Sequence, residues 1–363
     1  MEQQIPIILN TQFHSTQMNI LVAPNSYKEC ISSVNAAKLM SEVLAKRGYR
    51  HVTLLPLSDG GDGFLEVCTE KYGLQVLPFT MGTCCSDSPT TVNVGYDKRM
   101  RTGYVEAADI IGLKLIPAAL RKPLKLNSAN FGGFLKLLSE TDFGIRRLVI
   151  GLGGTGTTDL GLGLCTVFGL KLYDESGEEL EVIPENYYRV HRIVLPQRLQ
   201  MRIDVVHDVE CALLGMNGMS RTFAGQKGAN EEEIEHIEMG VENILNILSC
   251  DHGIEFKEKS FGAGGGLMVG LSLLAGIQPV PSKEFVLHQL ELESAVRECD
   301  VIISGEGKFD GQSFMDKAAG IVVKEAQRQQ KPVVLIVGSA ESGLSDTADG
   351  IPEIFEMRPL YNS

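Results

Sequence analysis

The 363-residue sequence has no tryptophan, few aromatic residues and no apolar run long enough to cross a membrane. A membrane helix needs about 18 to 20 such residues, and residues 1–17 lack the basic and apolar segments of a secretory signal. Basic residues are also scarce: 33 Lys and Arg stand against 46 Asp and Glu, which gives a net charge of −13. We therefore expect neither a membrane nor a nucleic-acid partner.

The sequence also lacks several familiar motifs. Its eight cysteines form no C-x-x-C pair, and its seven histidines show no metal-ligand spacing. A chain of this length needs no disulfide framework, so reduced thiols and a cytoplasmic location are expected. There is no P-loop and no G-x-S-x-G elbow, so neither of these two site types is supported. The length predicts two domains, at about 100–200 residues per domain.

Short apolar runs recur along the chain, each ending in a loop of Gly, Asp, Asn or Ser. Such runs are typical of parallel strands with both faces buried, and helical patterns at 230–249 and 313–329 lie among them. Region 76–106 differs, because its short segments rich in Thr, Val and Tyr read as antiparallel strands. The sequence therefore predicts an α/β fold. The apolar runs are 19–26, 52–63, 147–156, 203–210, 300–307 and 332–339.

One glycine-rich stretch, VIGLGGTGTTDLGLGLC at 149–165, has G-x-G-x-x-G spacing at Gly151, Gly153 and Gly156. Asp174 ends the next apolar segment, near the spacing of about 20 residues expected for a ribose-binding acid. Asp159 opposes a dinucleotide, because its charge would lie beside the pyrophosphate. An NAD-dependent dehydrogenase is therefore a lesser alternative to a loop that serves another ligand.

Taken in order, these loops resemble the glycerate kinase family, of the bacterial type that includes the glyoxylate- and galactarate-pathway enzymes. The similarity extends from about Met18 to Gly338. It implies ATP- and Mg²⁺-dependent phosphorylation of D-glycerate, on the 2-hydroxyl, by a monomer or homodimer. The segments that carry it are LVAPNSYKECISSVNAA, PLSDGGDG, VEAADIIGLKLIP, KPLKLNSANFGGFL, GLGGTGTTDLGLG, HDVECALLG, TFAGQKGA, GAGGGL and ISGEGKFDGQSFMDK.

The resemblance also implies a domain organisation. Residues 18–75 and 295–363 would form a flavodoxin- or Rossmann-like α/β domain. Residues 76–294 would form a mixed α/β domain inserted between them. Residues 1–17 would be an N-terminal extension.

Site residues follow from the same motifs, and phosphoryl transfer needs positioning, charge neutralisation and a carboxylate that accepts the hydroxyl proton. The implied catalytic residues are Asp208 as general base, Lys28 and Asp159. The implied ATP-binding residues are Gly153, Gly154, Thr155, Thr157, Glu306, Lys308, Asp310, Gln312 and Lys317. The implied substrate-binding residues are Ser26, Asp59, Asp62, Gln226 and Lys227. The implied Mg²⁺ ligands are Asp159, Glu306 and Asp310.

The chain departs from the family pattern at several of these loops. Asn25 stands where Asp is usual, and Thr158 and Leu160 stand where Asn and Gly are usual. Cys211 and Ala212 replace an Asn-Pro pair. These changes are compatible with a shifted substrate, weaker Mg²⁺ binding or lost activity. The alternative function is therefore a non-catalytic relative that binds a sugar acid or a nucleotide and regulates.

Overall fold

The computed structural model describes residues 17–28, 30–83, 86–257, 259–309, 317–340 and 353–357. The chain divides into two compact units. Unit 1 combines the described parts of 1–59 and 282–363, and unit 2 is the continuous segment 60–281. Unit 1 is therefore assembled from two distant stretches of sequence. Among the described residues, no helix combines the length and the apolar character that a membrane span requires.

The elements alternate between strands and helices, as an α/β fold requires. The strands are β1 (Asn19–Pro24), β2 (His51–Leu54), β3 (Gln75–Thr83), β4 (Ser86–Asp97), β5 (Thr102–Glu106), β6 (Arg147–Gly151), β7 (Lys171–Tyr173), β8 (Glu179–Leu180), β9 (Arg192–Val194), β10 (Arg202–His207), β11 (Gly276–Pro281), β12 (Val301–Phe309), β13 (Val333–Ala340) and β14 (Glu353–Glu356). The helices are α1 (Ser33–Lys46), α2 (Phe64–Tyr72), α3 (Ala108–Ile111), α4 (Ala129–Ser139), α5 (Leu162–Cys165), α6 (Glu231–His252), α7 (Ala263–Leu274), α8 (Ser282–Glu284), α9 (Leu292–Glu298) and α10 (Ala318–Arg328).

Shorter helical turns fill several connections. The 3₁₀ turns are Leu113–Leu115, Ala118–Leu120, Thr166–Phe168, Pro184–Arg189 and Gly225–Lys227, and the π-helical turns are Ser220–Ala224 and Phe285–Gln289.

Unit 1 has a five-stranded sheet in the order β14-β13-β12-β1-β2, and its pairs are all parallel. Counted within the unit, the order is 2-1-3-4-5, which is that of flavodoxin-like sheets. The apolar run of β1 is buried from Ile20 to Ala23, as expected for an inner parallel strand. Its neighbour β12 comes from the far end of the chain: the Ser304 hydroxyl donates to the Ala23 carbonyl at 2.6 Å.

Unit 2 has a six-stranded mixed sheet in the order β11-β10-β6-β5-β4-β3. Strands β3, β4 and β5 are antiparallel, which confirms the interpretation of region 76–106. Strand β5 also pairs in parallel with β6, so it joins the antiparallel half to the parallel strands β6, β10 and β11. A separate three-stranded antiparallel sheet has the order β8-β7-β9.

The predicted helices are present with adjusted ends. Helix α6 begins after the predicted N-cap Asn230, whose side chain accepts from the Glu233 amide while Glu233 accepts from the Asn230 amide. This capping box satisfies two amides of the first turn. The helix predicted over 313–329 is α10, and residues 310–316 lie outside the described residues.

The boundaries between the units lie earlier than the expected 75/76 and 294/295. Helix α2 packs against β4 and β5 of unit 2, and its Phe64 ring contacts Gly151. Helix α9 packs against β1 and α10 of unit 1. Helix α2 therefore packs into unit 2 and helix α9 into unit 1. The sequence pattern alone does not indicate this assignment.

Candidate active site

Three loops of unit 2 come together at the carboxyl ends of β5, β6 and β10, where ligands bind in open α/β sheets. The Gly153 amide donates to the Gly60 carbonyl at 3.0 Å, and the Ala107 amide donates to the Gly151 carbonyl at 2.9 Å. The Leu113 amide donates to the Gly154 carbonyl at 2.9 Å. Backbone hydrogen bonds therefore join the loops that the sequence reads as SDGGDG, VEAADIIG and GLGGTG.

Close backbone contact explains the glycines of the G-x-G-x-x-G pattern. A Cβ on Gly151 would lie 2.7 Å from the Gly60 carbonyl oxygen, and a Cβ on Gly153 would lie 2.5 Å from the Gly61 Cα. Both separations are shorter than real Cβ contacts allow, so glycine is required where the two loops meet. Of the predicted nucleotide-binding residues in this loop, Gly154 is exposed and Thr155 is buried.

The geometry after β6 speaks against the dehydrogenase alternative. Helix α5 is four residues long, whereas a dinucleotide fold places its pyrophosphate at the start of a longer crossover helix. Strand β7 pairs with β8 and β9 and not with β6. Asp174 closes a tight turn, because its Oδ1 accepts from the Ser176 and Glu178 amides at 3.0 Å. The similarity to a dinucleotide motif is therefore limited to spacing.

Asp159 is fully buried, and its carboxylate already has four donors. Its Oδ2 accepts from the Ser128 amide at 2.8 Å, from the Ser128 hydroxyl at 2.7 Å and from the Gly163 amide at 3.0 Å. Its Oδ1 accepts from the Gly161 amide at 3.3 Å. Asp159 is predicted as a catalytic and Mg²⁺-binding carboxylate, and in this arrangement its oxygens hold the backbone around it.

Lys227 is buried close to Asp159. Its side chain is 3% exposed, and its ammonium donates to the Thr157 carbonyl at 2.7 Å. Burial lowers the pKa of Lys227 to about 8, and the Asp159 charge opposes this shift. Thr157 is also buried, whereas the neighbouring Gln226 is exposed. Lys227 and Thr157, which the motifs imply as substrate- and ATP-binding residues, are thus internal residues in this arrangement.

The GAGGGL motif packs against this buried lysine. Gly264, Gly265 and Gly266 all have left-handed backbone angles, with φ of 63°, 73° and 81°. A Cβ on Gly265 would lie 2.0 Å from the Thr157 carbonyl oxygen and 3.1 Å from the Lys227 Nζ. The three glycines therefore allow the chain to fold closely over the Thr157 and Lys227 contact before helix α7 continues.

Sequence reasoning missed two acids at the end of β5, Glu106 and Asp109, which lie close to the predicted Asp62. Burial raises the pKa of Glu106 to about 7, and the Asp109 and Asp62 charges add to the rise. Burial likewise raises the pKa of Asp109. Asp62 forms an ion pair with Lys114 at 2.5 Å. The signal for Glu106 was present, since an acid ends the apolar strand in TGYVEAAD.

Asp208 comes directly after β10 and is half-buried. The preceding His207 is buried, and its Nδ1 lies 3.2 Å from the Val209 carbonyl oxygen. The strand therefore ends at the predicted general base, on the parallel half of the unit 2 sheet.

The loop after β1 carries the predicted residues at the start of unit 1. Asn25 Oδ1 accepts from the Ser26 amide at 2.9 Å, and Asn25 Nδ2 donates to Asp59 Oδ2 at 3.4 Å. The amide at position 25 thus gives Asp59 a donor where an aspartate would bring a second negative charge. Lys28 is exposed, and Ser26 and Asp59 are half-buried.

Glu306 lies within β12 and is 6% exposed. It faces Tyr27, whose pKa is raised above its usual range by burial and by the Glu306 charge. The Tyr27 hydroxyl donates to the Ile336 carbonyl at 2.6 Å. Lys308 is exposed, and Lys317 is half-buried and is the residue that precedes α10.

The predicted metal-binding set is not assembled by the described residues. Asp310 and Gln312 lie outside the described ranges, and Asp159 has its oxygens occupied by hydrogen-bond donors. Within the described part of the chain, no three His, Cys, Asp or Glu side chains form a group that could hold a metal ion.

Comparison with known proteins identifies the family. The model of the glycerate kinase family matches residues 20–362. The chain belongs to the glycerate kinase family. It is 30% identical over 356 residues to a glycerate kinase of Bacillus subtilis (strain 168), covering 94% of this chain and 91% of the relative. It is 29% identical over 334 residues to the glycerate 2-kinase of Escherichia coli (strain K12), covering 89% and 85%.

A solved structure supports the same assignment. A crystal structure from Salmonella typhimurium LT2, described as a glycerate kinase 2, superposes with a TM-score of 0.76 at 28% identity. The match covers 94% of this chain and 90% of that chain. Like other members of the glycerate kinase family, the protein is a phosphotransferase with an alcohol group as acceptor, and ATP is the phosphoryl donor.

The structure gives physical reasons for two departures from the glycerate kinase pattern. Leu160 has a left-handed φ of 55°, which is a conformation that favours the glycine usual there. Its buried side chain contacts Gly266. Thr158 is buried too, and its hydroxyl donates to the Pro123 carbonyl at 3.3 Å. Both residues are therefore parts of the packed interior of unit 2.

Proposed function

We propose that the protein phosphorylates the 2-hydroxyl of D-glycerate with ATP. The family model matches residues 20–362, and the family motifs lie at the carboxyl ends of parallel strands in each unit. This observation carries the proposal. The name of the relative from E. coli, glycerate 2-kinase, supports the choice of hydroxyl. Phosphoryl transfer by such a site rests on positioning and on charge neutralisation.

The accessible members of the predicted set receive the direct roles. Asp208, half-buried after β10, would accept the proton of the attacking hydroxyl. The exposed Lys28 and Lys308 would neutralise phosphate or carboxylate charge, and Asp62 would orient the substrate hydroxyls. Ser26, Asp59, Gly154, Gln226 and Lys317 complete the set in the roles that the motifs imply.

The buried members receive an indirect role. The Asp159 carboxylate organises the backbone that follows the glycine loop, and Lys227 holds the Thr157 carbonyl. These contacts would keep Gly153, Gly154 and Thr155 in a fixed path, so that the exposed backbone of the loop can approach ATP. Fixed backbone of this kind contributes to phosphoryl transfer because it needs no rearrangement during the reaction.

Mg²⁺ belongs to the proposal as an expected requirement. The chemistry of ATP calls for a cation that neutralises its phosphates, but the Asp159 carboxylate does not fit a metal. Besides Asp159, Glu306 is the member of the expected ligand set that the structure describes, and it is mostly buried. Activity measured with and without a chelator, with ATP in excess, would test the requirement.

A substrate series tests the choice of hydroxyl. ADP release is measured with ATP, Mg²⁺ and each of four acids: D-glycerate, L-glycerate, D-lactate, which lacks the 3-hydroxyl, and 3-hydroxypropionate, which lacks the 2-hydroxyl. We expect turnover with D-glycerate and none with 3-hydroxypropionate. Phosphorus NMR of the product should show the phosphate coupled to a single proton on C2. Coupling to two protons would assign the phosphate to C3 and contradict the proposal.

The alternative function is regulation by a relative that binds a sugar acid or a nucleotide without turnover. The observation that favours it is that Asp159, Thr157 and Lys227 are all inside unit 2. Calorimetric binding of D-glycerate with no ADP release under any of these conditions would support the alternative.

Location and assembly are also proposed. The six cysteines among the described residues are free thiols, which supports a reducing compartment such as the cytoplasm. The predicted monomer or homodimer is open to a direct test by sedimentation of the purified protein.

A further inference from the structure

Glu106 takes the position of a helix cap for α2. Helix α2 begins after Gly63, which has a left-handed φ of 84° and no side chain to cap the first turn. Glu106 Oε1 accepts from the Leu65 amide at 2.9 Å, and the Gly63 amide also donates to the carboxylate. The first amides of a helix need such acceptors, and a carboxylate suits the positive end of the helix dipole.

The first turn of α2, which Glu106 caps, directly follows the loop Gly60–Gly63. The other end of this loop is fixed through the Gly60 carbonyl, which accepts from the Gly153 amide at 3.0 Å. The Phe64 amide donates back to the Gly61 carbonyl at 3.1 Å, which closes the turn. The loop is therefore held at one end by the glycine-rich stretch and at the other end by Glu106.

Asp62 lies between these two anchors. Its carboxylate pairs with Lys114, at 2.5 Å, and about one third of its side chain is exposed. A Cβ on Gly154 would lie 4.0 Å from the Asp62 Oδ1, so Asp62 lies beside the exposed residue of the glycine-rich stretch. The position of Asp62 beside Gly154 therefore depends on the position of Gly63, where the loop ends.

A carboxylate at position 106 is electrostatically unfavourable because other acids lie close to it. Glu106 is buried close to Asp62 and Asp109, and all three carry negative charge when ionised. Cys68 of α2 also faces Glu106, whose charge adds to the rise in the pKa of this thiol. A neutral amide cap would avoid this repulsion, but it would also bring an NH₂ donor next to the amides of Gly63 and Leu65, which are themselves donors.

We propose that Glu106 is a positioning residue for substrate binding: by holding the amides of Gly63 and Leu65, it fixes the loop that presents Asp62. The proposal rests on the proposed function, because Asp62 acts there as a substrate-binding residue. The effect of Glu106 should therefore be found in the affinity for the hydroxy acid more than in the chemical step.

The test compares Glu106→Gln with a matched control. Glutamine keeps one acceptor and replaces the other by an NH₂ group, which faces an amide that is itself a donor. The control is Asp174→Asn, since Asp174 also accepts from two backbone amides but closes a turn in the three-stranded sheet. Two quantities are measured for each variant: hydrogen exchange of peptides that cover residues 58–66, and kcat and KM for D-glycerate.

We expect Glu106→Gln to raise the KM for D-glycerate by about tenfold, the loss typical of a hydrogen bond to a charged group, with kcat within about threefold of the wild type. Exchange in 58–66 should become at least about tenfold faster, for the same lost hydrogen bond. Asp174→Asn should change neither quantity. Glu106→Asp is the second variant if the glutamine protein folds poorly; it keeps the charge but is too short to reach both amides, and should show the same rise in KM.

Any of three outcomes would overturn the proposal. Unchanged exchange in 58–66 would show that Glu106 does not hold the loop. Faster exchange with an unchanged KM, or an equal fall in kcat and in kcat/KM, would show that the loop does not serve substrate binding. Exchange is measured without substrate, so it tests whether Glu106 holds the loop even if the wild type releases no ADP with D-glycerate. An absence of ADP release would contradict the proposed function, and this outcome is distinct from a failure of Glu106 to hold the loop.

Discussion

The two units use the same sequence signature in different ways. In both, an apolar strand ends in a loop rich in glycine and charged residues. In unit 1 two lysines of such loops, Lys28 and Lys308, are exposed near the ends of β1 and β12. In unit 2 the same kind of loop places Asp159 and Lys227 in the interior. A charged residue after a strand thus indicates the edge of a sheet but does not indicate which way its side chain faces.

The connections of unit 2 account for part of this difference. Residues 152–161 link β6 to α5, and residues 208–219 link β10 to the next helical turn. Long loops must satisfy their own buried backbone groups, and Asp159 and Lys227 supply acceptors and donors for this purpose. The predictions below separate residues that act on substrate from residues that hold backbone.

The largest effect is expected for Asp208→Asn. If Asp208 is the general base, its loss should lower kcat by about a thousandfold, within the range of 10²–10⁴ for acid–base catalysis. The melting temperature should be nearly unchanged, because Asp208 is half-buried. Steady-state ADP release and a thermal melt measure the two quantities.

Glu210→Gln provides the control in the same loop, since Glu210 is exposed and has no assigned role. It should retain the turnover of the wild type. A wild-type kcat in Asp208→Asn would mean that another group accepts the proton.

Asp159→Asn should lower the stability of the folded protein more than it affects the chemical step. The asparagine would present an NH₂ group to some of the four donors that now reach the carboxylate, and it would leave the buried Lys227 without a counter-charge. We expect the free energy of unfolding in urea to fall by about 3–5 kcal/mol, as for other buried charges that lose a partner.

Asp62→Asn is the contrasting variant, because its ion pair with Lys114 is partly exposed and should contribute no more than about 1 kcal/mol. If both variants lost the same stability, the distinction between interior and accessible acids in unit 2 would fail.

The buried Lys227 predicts a specific dependence of stability on pH. Its pKa falls from 10.5 to about 8 on burial, so between these values the unfolded chain binds more protons than the folded one. Stability should therefore rise as the pH increases from 8 to 10.5, by up to about 3 kcal/mol from this group.

Lys227→Met, which is similar in length and uncharged, should lack this contribution. Urea unfolding of both proteins at several pH values gives the difference, in which other titrating groups cancel. Parallel curves for the two proteins would contradict the assigned shift.

The smallest effect is expected for Lys28→Ala. An exposed lysine that contacts a phosphate or a carboxylate contributes about 1–2 kcal/mol, so the KM for ATP or D-glycerate should rise by about tenfold. Stability should not change. Lys46→Ala, an exposed lysine at the end of α1, is the control and should leave both KM values unaltered.

Much of the fold was accessible from the sequence. The buried apolar run of β1, the antiparallel segments around β4 and the Asn230 cap of α6 all follow from local patterns with a known physical basis. The unit boundaries did not follow, because they depend on which sheet α2 and α9 cover. That choice is made by contacts between residues distant in sequence.

The site was predictable to the level of loops but not of side chains. Spacing alone did not reveal that Gly151 and Gly153 make room for Gly60 and Gly61, since a motif does not name the loop it meets. Asp159 was expected to face a ligand, but it accepts from Ser128, which is supplied by a different loop. Glu106 carried a usable signal, an acid at the end of a buried strand, but the sequence did not distinguish it from the many other acids of the chain.

The pairing of β1 with β12 has a consequence for how the protein is made. The contact between Ala23 and Ser304 spans 281 residues, and the whole of unit 2 is synthesised between them. At about 5–20 residues per second, the first strand leaves the ribosome roughly 14 to 56 s before its inner neighbour exists. During that interval β1 has one open, apolar edge, while unit 2 has time to fold. Unit 1 is thus the last part of the molecule to be completed on the ribosome, and its assembly depends on the first strand staying soluble until then.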